Sequence, residues 1–230
     1  MIAKRRTEIK VYIEIGKKRT FAGVIDWPGW CRQGRDEESA LQALFDFGPR
    51  YARILSTAQI EFQTPTDITT FAVSERLEGN ATTDFGAPDI TPASDLKPMD
   101  EAEFQRCQTL LRAYWQAFDE VMRQASGKKL RTGPRGGGRD LAGIARHVIG
   151  GDVSYLARLG WRHKKSDGQN LDEEFGRTRQ AILAALAAAM RGETPQRGPR
   201  GGVIWTPRYF VRRLAWHVLD HLWEIEDRAI

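Results

Sequence analysis

The sequence predicts an α+β protein of two domains: a small N-terminal domain of a β-hairpin and a helix, followed by an all-α domain. Apolar and polar residues alternate along residues 9–25, as they do in strands. Beyond residue 98 the apolar residues instead recur every three or four positions, as in amphipathic helices. A proline-rich stretch separates the two patterns, which gives domains of 1–97 and 98–230.

The first domain is expected to begin with two strands. Residues 9–15 and 20–25 are rich in β-branched side chains and flank a Gly-Lys-Lys turn, which predicts a hairpin. A helix is expected from Asp36, because acidic residues in its first turn suit the positive end of the helix dipole. Residues 62–98 have weak periodicity, apart from one strand at 69–77, and are interpreted as the tail of the first domain plus a linker.

The second domain is predicted to be a four-helix bundle. Its amphipathic stretches are separated by glycine- or proline-rich breaks, and they span 100–125, 139–159, 171–190 and 207–228. The break at 127–138 is rich in Gly and Arg and leads into a helix, which would suit a phosphate. It lacks the Lys-Ser/Thr pair of a P-loop, and no strand precedes it, so we interpret it as a connector.

Composition and charge restrict the functional classes. The chain has 230 residues, a net charge of +5 at pH 7 and two cysteines, so no disulfide framework is implied and a reducing cytoplasm is expected. No apolar run approaches the roughly 20 residues of a membrane span. The modest positive charge permits a nucleic-acid partner but does not argue for one. We expect a cytoplasmic homodimer with a small-molecule substrate and no membrane partner.

Three of the four histidines are placed to meet. His217 and His221 are four residues apart, which puts both imidazoles on one face of the last helix. His147 lies on the apolar side of the second helix of this domain. If these helices pack together, three imidazoles converge, which is the ligand count of a catalytic metal site with an open position. The remaining histidine, His163, stands among basic residues and is expected to be solvated.

Three acidic residues are candidates for catalysis beside such a metal. Glu224 lies one turn beyond His221 and is a candidate general base, but it is equally well placed to pair with Arg228. Asp152 and Asp220 are candidates to orient ligand rings or relay protons, because a metal-bound imidazole donates its second N–H to an acceptor. The alternative is that both are surface or capping acids.

The histidine pattern resembles the DinB/YfiT-like superfamily of metal-binding four-helix bundles. That family has one His in its second helix and His-x-x-x-His in its fourth, matched here by His147 and by His217-Val-Leu-Asp-His221, within residues 99–230. The resemblance implies a divalent metal, usually zinc or nickel, held by three histidines. Characterised relatives include thiol-dependent transferases and isomerases. The resemblance therefore implies a transferase, isomerase or hydrolase acting on a small molecule, with a low-molecular-weight thiol as a second cofactor.

Residues 8–60 resemble a different family, the HicB-like antitoxin domain. The stretch 21–41 carries the resemblance: a strand, then Pro-Gly and Cys31, then an acidic helix start. Trp30 is inserted between the Pro-Gly pair and Cys31, and the DNA-binding tail that often follows this domain is replaced by helices. The resemblance implies a module for pairing or for a partner. It leaves open an alternative function, a binding or regulatory module for a toxin-like, RNA or protein partner, in which the metal is structural.

Overall fold

The computed structural model describes residues 8–132, 138–163, 170–198 and 202–230. Its contacts divide the chain into two compact units, Met1–Lys97 and Pro98–Ile230. The first unit holds one four-stranded sheet, and long helices follow in the second, so the fold is α+β. Within the described ranges, no helix is both long and apolar enough to cross a membrane.

A four-stranded sheet organises the first unit. Its strands are β1 (Ile9–Ile15), β2 (Thr20–Val24), β3 (Cys31–Gly34) and β4 (Phe71–Glu78), in the order β3-β2-β1-β4. β1 and β2 form the predicted hairpin, β3 adds to it antiparallel, and β4 runs parallel to β1. Strand β3 is absent from the prediction because four residues between two turns are too few to show a clear alternation.

Three helices accompany the sheet: α1 (Glu37–Asp46), α2 (Gly48–Thr57) and α3 (Ala81–Phe85). Asp36 caps α1, where its carboxylate accepts the N–H of Ser39 at 2.8 Å. The segment 62–98 contains β4, close to the strand expected at 69–77, and also α3 and two 3-10 turns, which are absent from the prediction. The Thr and Asp residues of α3 favour caps and turns over helix interiors, which hides the helix in the sequence.

A buried carboxylate joins this segment to the sheet. Glu14 of β1 is 0% exposed, and its carboxylate accepts hydrogen bonds from the Thr83 hydroxyl at 2.5 Å and from the N–H groups of Asp89 and Ile90 at 2.9 and 3.1 Å. Such donors offset the cost of removing a carboxylate from water. Residues 83–90 are thereby fixed to β1.

The second unit contains four long helices: α4 (Glu101–Ala125), α5 (Leu141–Arg158), α6 (Leu171–Met190) and α7 (Pro207–Arg228). Each begins after a polar side chain that accepts an N–H of the first turn, namely Asp100, Asp140, Asn170 or Thr206. Proline suits the first position of α7 because its missing N–H would have no partner there. Parts of the three segments that connect the predicted helices, 133–137, 164–169 and 199–201, lie outside the described residues.

Helix α7 is central to the second unit. It packs against α4, α5 and α6, and α5 also packs against α6. Arg208 at the start of α7 pairs with Glu103 at the start of α4, so these two helices run parallel. Trp205, just before α7, donates its N–H to the carbonyl of Arg158 at the end of α5, so α5 and α7 run antiparallel. Residues in the middle of α5 and α7 therefore lie at similar levels.

Candidate metal centre

Helices α5 and α7 bring His147, His217 and His221 together. Their ligand nitrogens lie within 4.8 Å of one another, and the Nε2 atoms of His147 and His217 are 3.3 Å apart. Nitrogen ligands about 2 Å from a tetrahedral ion are about 3.4 Å apart. The His147–His217 pair therefore already has the required spacing, and no pair has to close by more than roughly 1.4 Å. The donor set and its spacing both fit a divalent ion.

A glycine allows the close approach of α5 and α7. A Cβ added at Gly151 would lie 2.3 Å from Cε1 of His217 and 2.8 Å from its Nδ1, whereas at Gly150 it would meet nothing within 4 Å. The His217 imidazole therefore lies directly against the backbone of α5. Gly151 is not among the predicted site residues, although a glycine in a helix interior, four residues after a candidate ligand, indicates the close approach of another group.

Burial keeps the imidazoles of His147 and His217 neutral. Desolvation, followed by repulsion from His221, lowers the pKa of His147 to about 4. Burial and the same repulsion lower the pKa of His217 well below its ordinary value. A neutral imidazole presents the lone pair that a metal ligand requires. Both rings are therefore ready to bind a cation at neutral pH.

Glu224 is bonded on two sides. Its carboxylate lies 2.7 Å from Nδ1 of His221 and accepts a hydrogen bond from the guanidinium of Arg228. The bond from His221, with that from Arg228, lowers the pKa of the Glu224 carboxyl. A carboxylate held in this way is a poor general base and a good orienting group. The geometry thus favours the predicted pairing with Arg228 over the predicted general-base role.

The Nδ1 atoms of His217 and His221 show what surrounds the two rings on their second nitrogen. Nδ1 of His221 is bonded to Glu224, and Nδ1 of His217 is buried with no hydrogen-bond partner among the described residues. Asp220 precedes His221 in sequence and is only partly buried. Asp152 is 1% exposed, and neither of its carboxyl oxygens has a partner in the described part of the chain. The hydrogen bonds of these two rings thus give no support to the predicted orienting role of Asp152 and Asp220, which stays a prediction.

Asp152 is instead a buried, neutral acid. Burial raises its pKa to about 8, and the positive charge of Arg179 offsets this only in part. Arg179 directs both terminal nitrogens to the carboxylate of Asp119, each at 2.7 Å. Asp152 therefore carries a proton at pH 7 and offers no negative charge to a cation.

The expectation that His163 is solvated is also wrong. Its side chain is 11% exposed, and its Nε2 lies 3.4 Å from the hydroxyl of Thr178 and 3.9 Å from the carboxylate of Glu174. Both partners are buried on α6. The basic residues around His163 in the sequence give no sign of these contacts. His163 does not belong to the cluster formed by the other three histidines.

Aromatic rings and a guanidinium adjoin His217. The ring centroid of Tyr155 is 5.5 Å from that of His217 and 5.4 Å from that of Trp205. Arg213 lies 3.4 Å from the Tyr155 hydroxyl, and its guanidinium lies 5.0 Å from the ring centroid of Trp216. Trp205 and Trp216 therefore lie near the histidine cluster.

Comparison with known proteins adds no relative. No protein-family model matches the chain, and searches of curated proteins and of solved structures give no significant match. The functional inference therefore depends on the geometry and chemistry of the histidine cluster.

Proposed function

We propose that this protein is a metal-dependent enzyme whose divalent ion is held by His147, His217 and His221. The observation that carries the proposal is the convergence of three imidazoles, with ligand nitrogens within 4.8 Å, where α5 meets α7. Structural zinc sites use four protein ligands, whereas catalytic sites use three and leave a position open. No fourth His, Cys, Asp or Glu joins the cluster within the described ranges, which favours a catalytic site over a structural one.

We also propose that the second unit is a four-helix bundle of the DinB/YfiT-like kind. Support comes from α4–α7, which place one histidine on the second of the four helices and two on the fourth, as in that family's pattern. The first unit is proposed to be a HicB-like module. Strands β2 and β3 and helix α1 span the stretch 21–41 that carries the resemblance.

A divalent ion at this cluster would supply a Lewis acid with an open position, which activates a water molecule or a thiol. The chain itself contributes the surroundings. Burial keeps two imidazoles neutral, Glu224 orients His221, and Tyr155 and Arg213 lie beside His217. From the family resemblance we further propose a small-molecule substrate, with transfer or isomerisation by means of a low-molecular-weight thiol, or hydrolysis, as the reaction.

Metal analysis of the purified protein tests the ligand assignment. We expect about one equivalent of zinc or nickel per chain, lost in His147→Ala and in His217→Ala because only two ligands remain. His163→Ala is the matched control and should keep its metal, because that histidine lies outside the cluster. A full equivalent of metal in His217→Ala would overturn the proposal.

A measurement of substrate turnover distinguishes the proposed enzyme from the alternative function, a binding module. We expect the metal-loaded protein to convert at least one member of a panel of thiol-conjugation and hydrolysis substrates, and to lose that activity when a chelator removes the metal. Metal-loaded protein that is inactive on the whole panel and binds RNA in a salt-sensitive manner would favour the alternative function.

A further inference from the structure

The last turn of α7 contains a buried cation, Arg228, and each of its three guanidinium nitrogens donates a hydrogen bond. Arg228 is 6% exposed, and burying a guanidinium is costly unless it is paired. Its Nη1 donates to Glu224, its Nε donates to the carbonyl of Arg131 at 2.8 Å, and its Nη2 donates to the carbonyl of Arg139 at 2.9 Å. Arg228 thus joins Glu224 to the backbone on both sides of the glycine-rich break between α4 and α5.

Backbone bonds hold the same corner of the second unit in place. The N–H of Arg131 donates to the carbonyl of Arg228 at 2.8 Å, and the N–H of Ile230 donates to the carbonyl of Lys129 at 3.1 Å. The Arg131 side chain also donates to the carbonyl of Asp227 at 2.7 Å. Arg228 therefore cannot move away from Glu224 without breaking contacts with two other segments.

Glu224 determines which nitrogen of His221 carries the proton. The carboxylate lies 2.7 Å from Nδ1, and an ionised carboxylate can only accept a hydrogen bond. Nδ1 is therefore the donor, and the lone pair of the neutral ring lies on Nε2. No such acceptor faces the buried Nδ1 of His217 among the described residues. His221 is thus a ligand whose orientation is fixed by a carboxylate.

We propose that Glu224 and Arg228 are positioning residues of the metal centre. Glu224 keeps the proton on Nδ1 of His221 and leaves Nε2 for the ion, while Arg228 holds Glu224 in place from the carbonyls of Arg131 and Arg139. We call this arrangement, in which Arg228 holds Glu224 and Glu224 orients His221, the relay. It rests on the proposed function, because it matters only if His221 is a ligand.

The relay is tested by the affinity of the full-length protein for zinc, measured by competition with a chromogenic chelator. Glu224→Gln keeps the size of the side chain but removes its charge, and we expect zinc to bind roughly 10- to 100-fold more weakly, as for other lost outer-shell partners. Glu226→Gln, the same charge change two residues later on α7, is the matched control and should bind zinc as tightly as the native protein.

Arg228 is tested by combining substitutions. Arg228→Met alone is expected to weaken zinc binding, because Glu224 is then no longer held. Added to Glu224→Gln, it should weaken binding little further, because both residues act through the same imidazole. Fully additive losses would overturn the relay. Arg228→Lys, which keeps the charge but not the planar fork, provides a second test if Glu224→Gln does not fold.

Nitrogen-15 NMR of the imidazole gives a readout that a merely structural role would not change. We expect His221 to be protonated on Nδ1 in the metal-free native protein and in Glu226→Gln, and to populate both tautomers in Glu224→Gln. Native-like zinc affinity in Glu224→Gln, or a His221 ring protonated on Nε2, would overturn the relay and leave the proposed function standing. A native protein that binds no zinc or nickel would overturn both.

Discussion

The two units bury polar groups in different ways. In the first unit the Glu14 carboxylate is buried and accepts bonds from a hydroxyl and two backbone N–H groups. In the second unit Asp152 and Nδ1 of His217 are buried without hydrogen-bond partners among the described residues. Buried polar groups are nearly always bonded, so the exceptions need an explanation. The hydrogen-bonded carboxylate of Glu14 fixes one segment of the chain to the sheet. In the second unit, burial instead keeps Asp152 and the imidazole of His217 neutral, and the neutral imidazole retains a lone pair.

The largest change in the free energy of unfolding is expected from zinc binding to the imidazoles of the histidine cluster. Zinc at 1,000 times its Kd should raise the free energy of unfolding of the native protein by about 4 kcal/mol. His217→Ala should lose most of this gain, whereas His163→Ala should keep it, because only His217 belongs to the cluster. Denaturant unfolding with and without zinc makes the measurement. Equal stabilisation of both variants by zinc would show that His217 is not a ligand.

Removal of the Glu14 carboxylate is expected to cause the next largest change in the free energy of unfolding. Glu14→Ala leaves one buried and two partly buried donors without this acceptor, and we expect the free energy of unfolding to fall by about 3 kcal/mol. Glu75→Ala is the matched control. Glu75 also accepts a backbone N–H, from Ala93, but it is only partly buried, so its loss should cost about 1 kcal/mol or less. Urea unfolding of both variants tests this, and similar losses would show that burial of Glu14 is not what matters.

Asp152 should make stability depend on pH. Its pKa is about 8 in the folded protein, against an ordinary value of 3.8 for the unfolded chain. Between these values the unfolded state releases a proton that the folded state keeps, so each pH unit lowers the free energy of unfolding by about 1.4 kcal/mol. The stabilisation is complete below the unfolded pKa and is lost as pH rises towards 8.

Asp152→Asn removes this dependence. Relative to the native protein, we expect the variant to gain nearly 3 kcal/mol between pH 5 and pH 7, as measured by urea unfolding at each pH. Asp172→Asn, an exposed acid on α6, should show no such gain. Parallel pH profiles for Asp152→Asn and the native protein would mean that the carboxyl finds a partner in solution, and the contrast with Glu14 would then disappear.

Local rules explain what could be predicted from the sequence. Helices α6 and α7 occupy the residues expected for them, because their caps, Pro207 and the three- and four-residue apolar spacing all lie within the segments themselves. The histidine cluster follows from the same rules. An i, i+4 histidine pair and a third histidine on an inward face meet whenever their helices pack.

Contacts between distant segments explain what could not be predicted. The partners of Glu14 lie about 70 residues later, and those of His163 lie on the next helix. The helix α3 and strand β3 are too short to show a period. Glu224 is an intermediate case. The sequence offers both a general base and a partner of Arg228, and only the 2.7 Å contact with His221 identifies an orienting role.

The smallest changes in stability are expected from alanine substitutions at two neighbouring glycines of α5, Gly150 and Gly151. The two changes should have opposite signs. Alanine in place of glycine in a helix stabilises by roughly 0.5 to 1 kcal/mol where there is room, as at Gly150. At Gly151 the new Cβ would lie 2.3 Å from Cε1 of His217, and such overpacking costs about 1 to 3 kcal/mol. Gly151→Ala should therefore be less stable and bind zinc more weakly, because the imidazole is displaced. If both variants gain stability and bind zinc normally, the His217 ring has room to move, and burial against α5 is not what holds the cluster together.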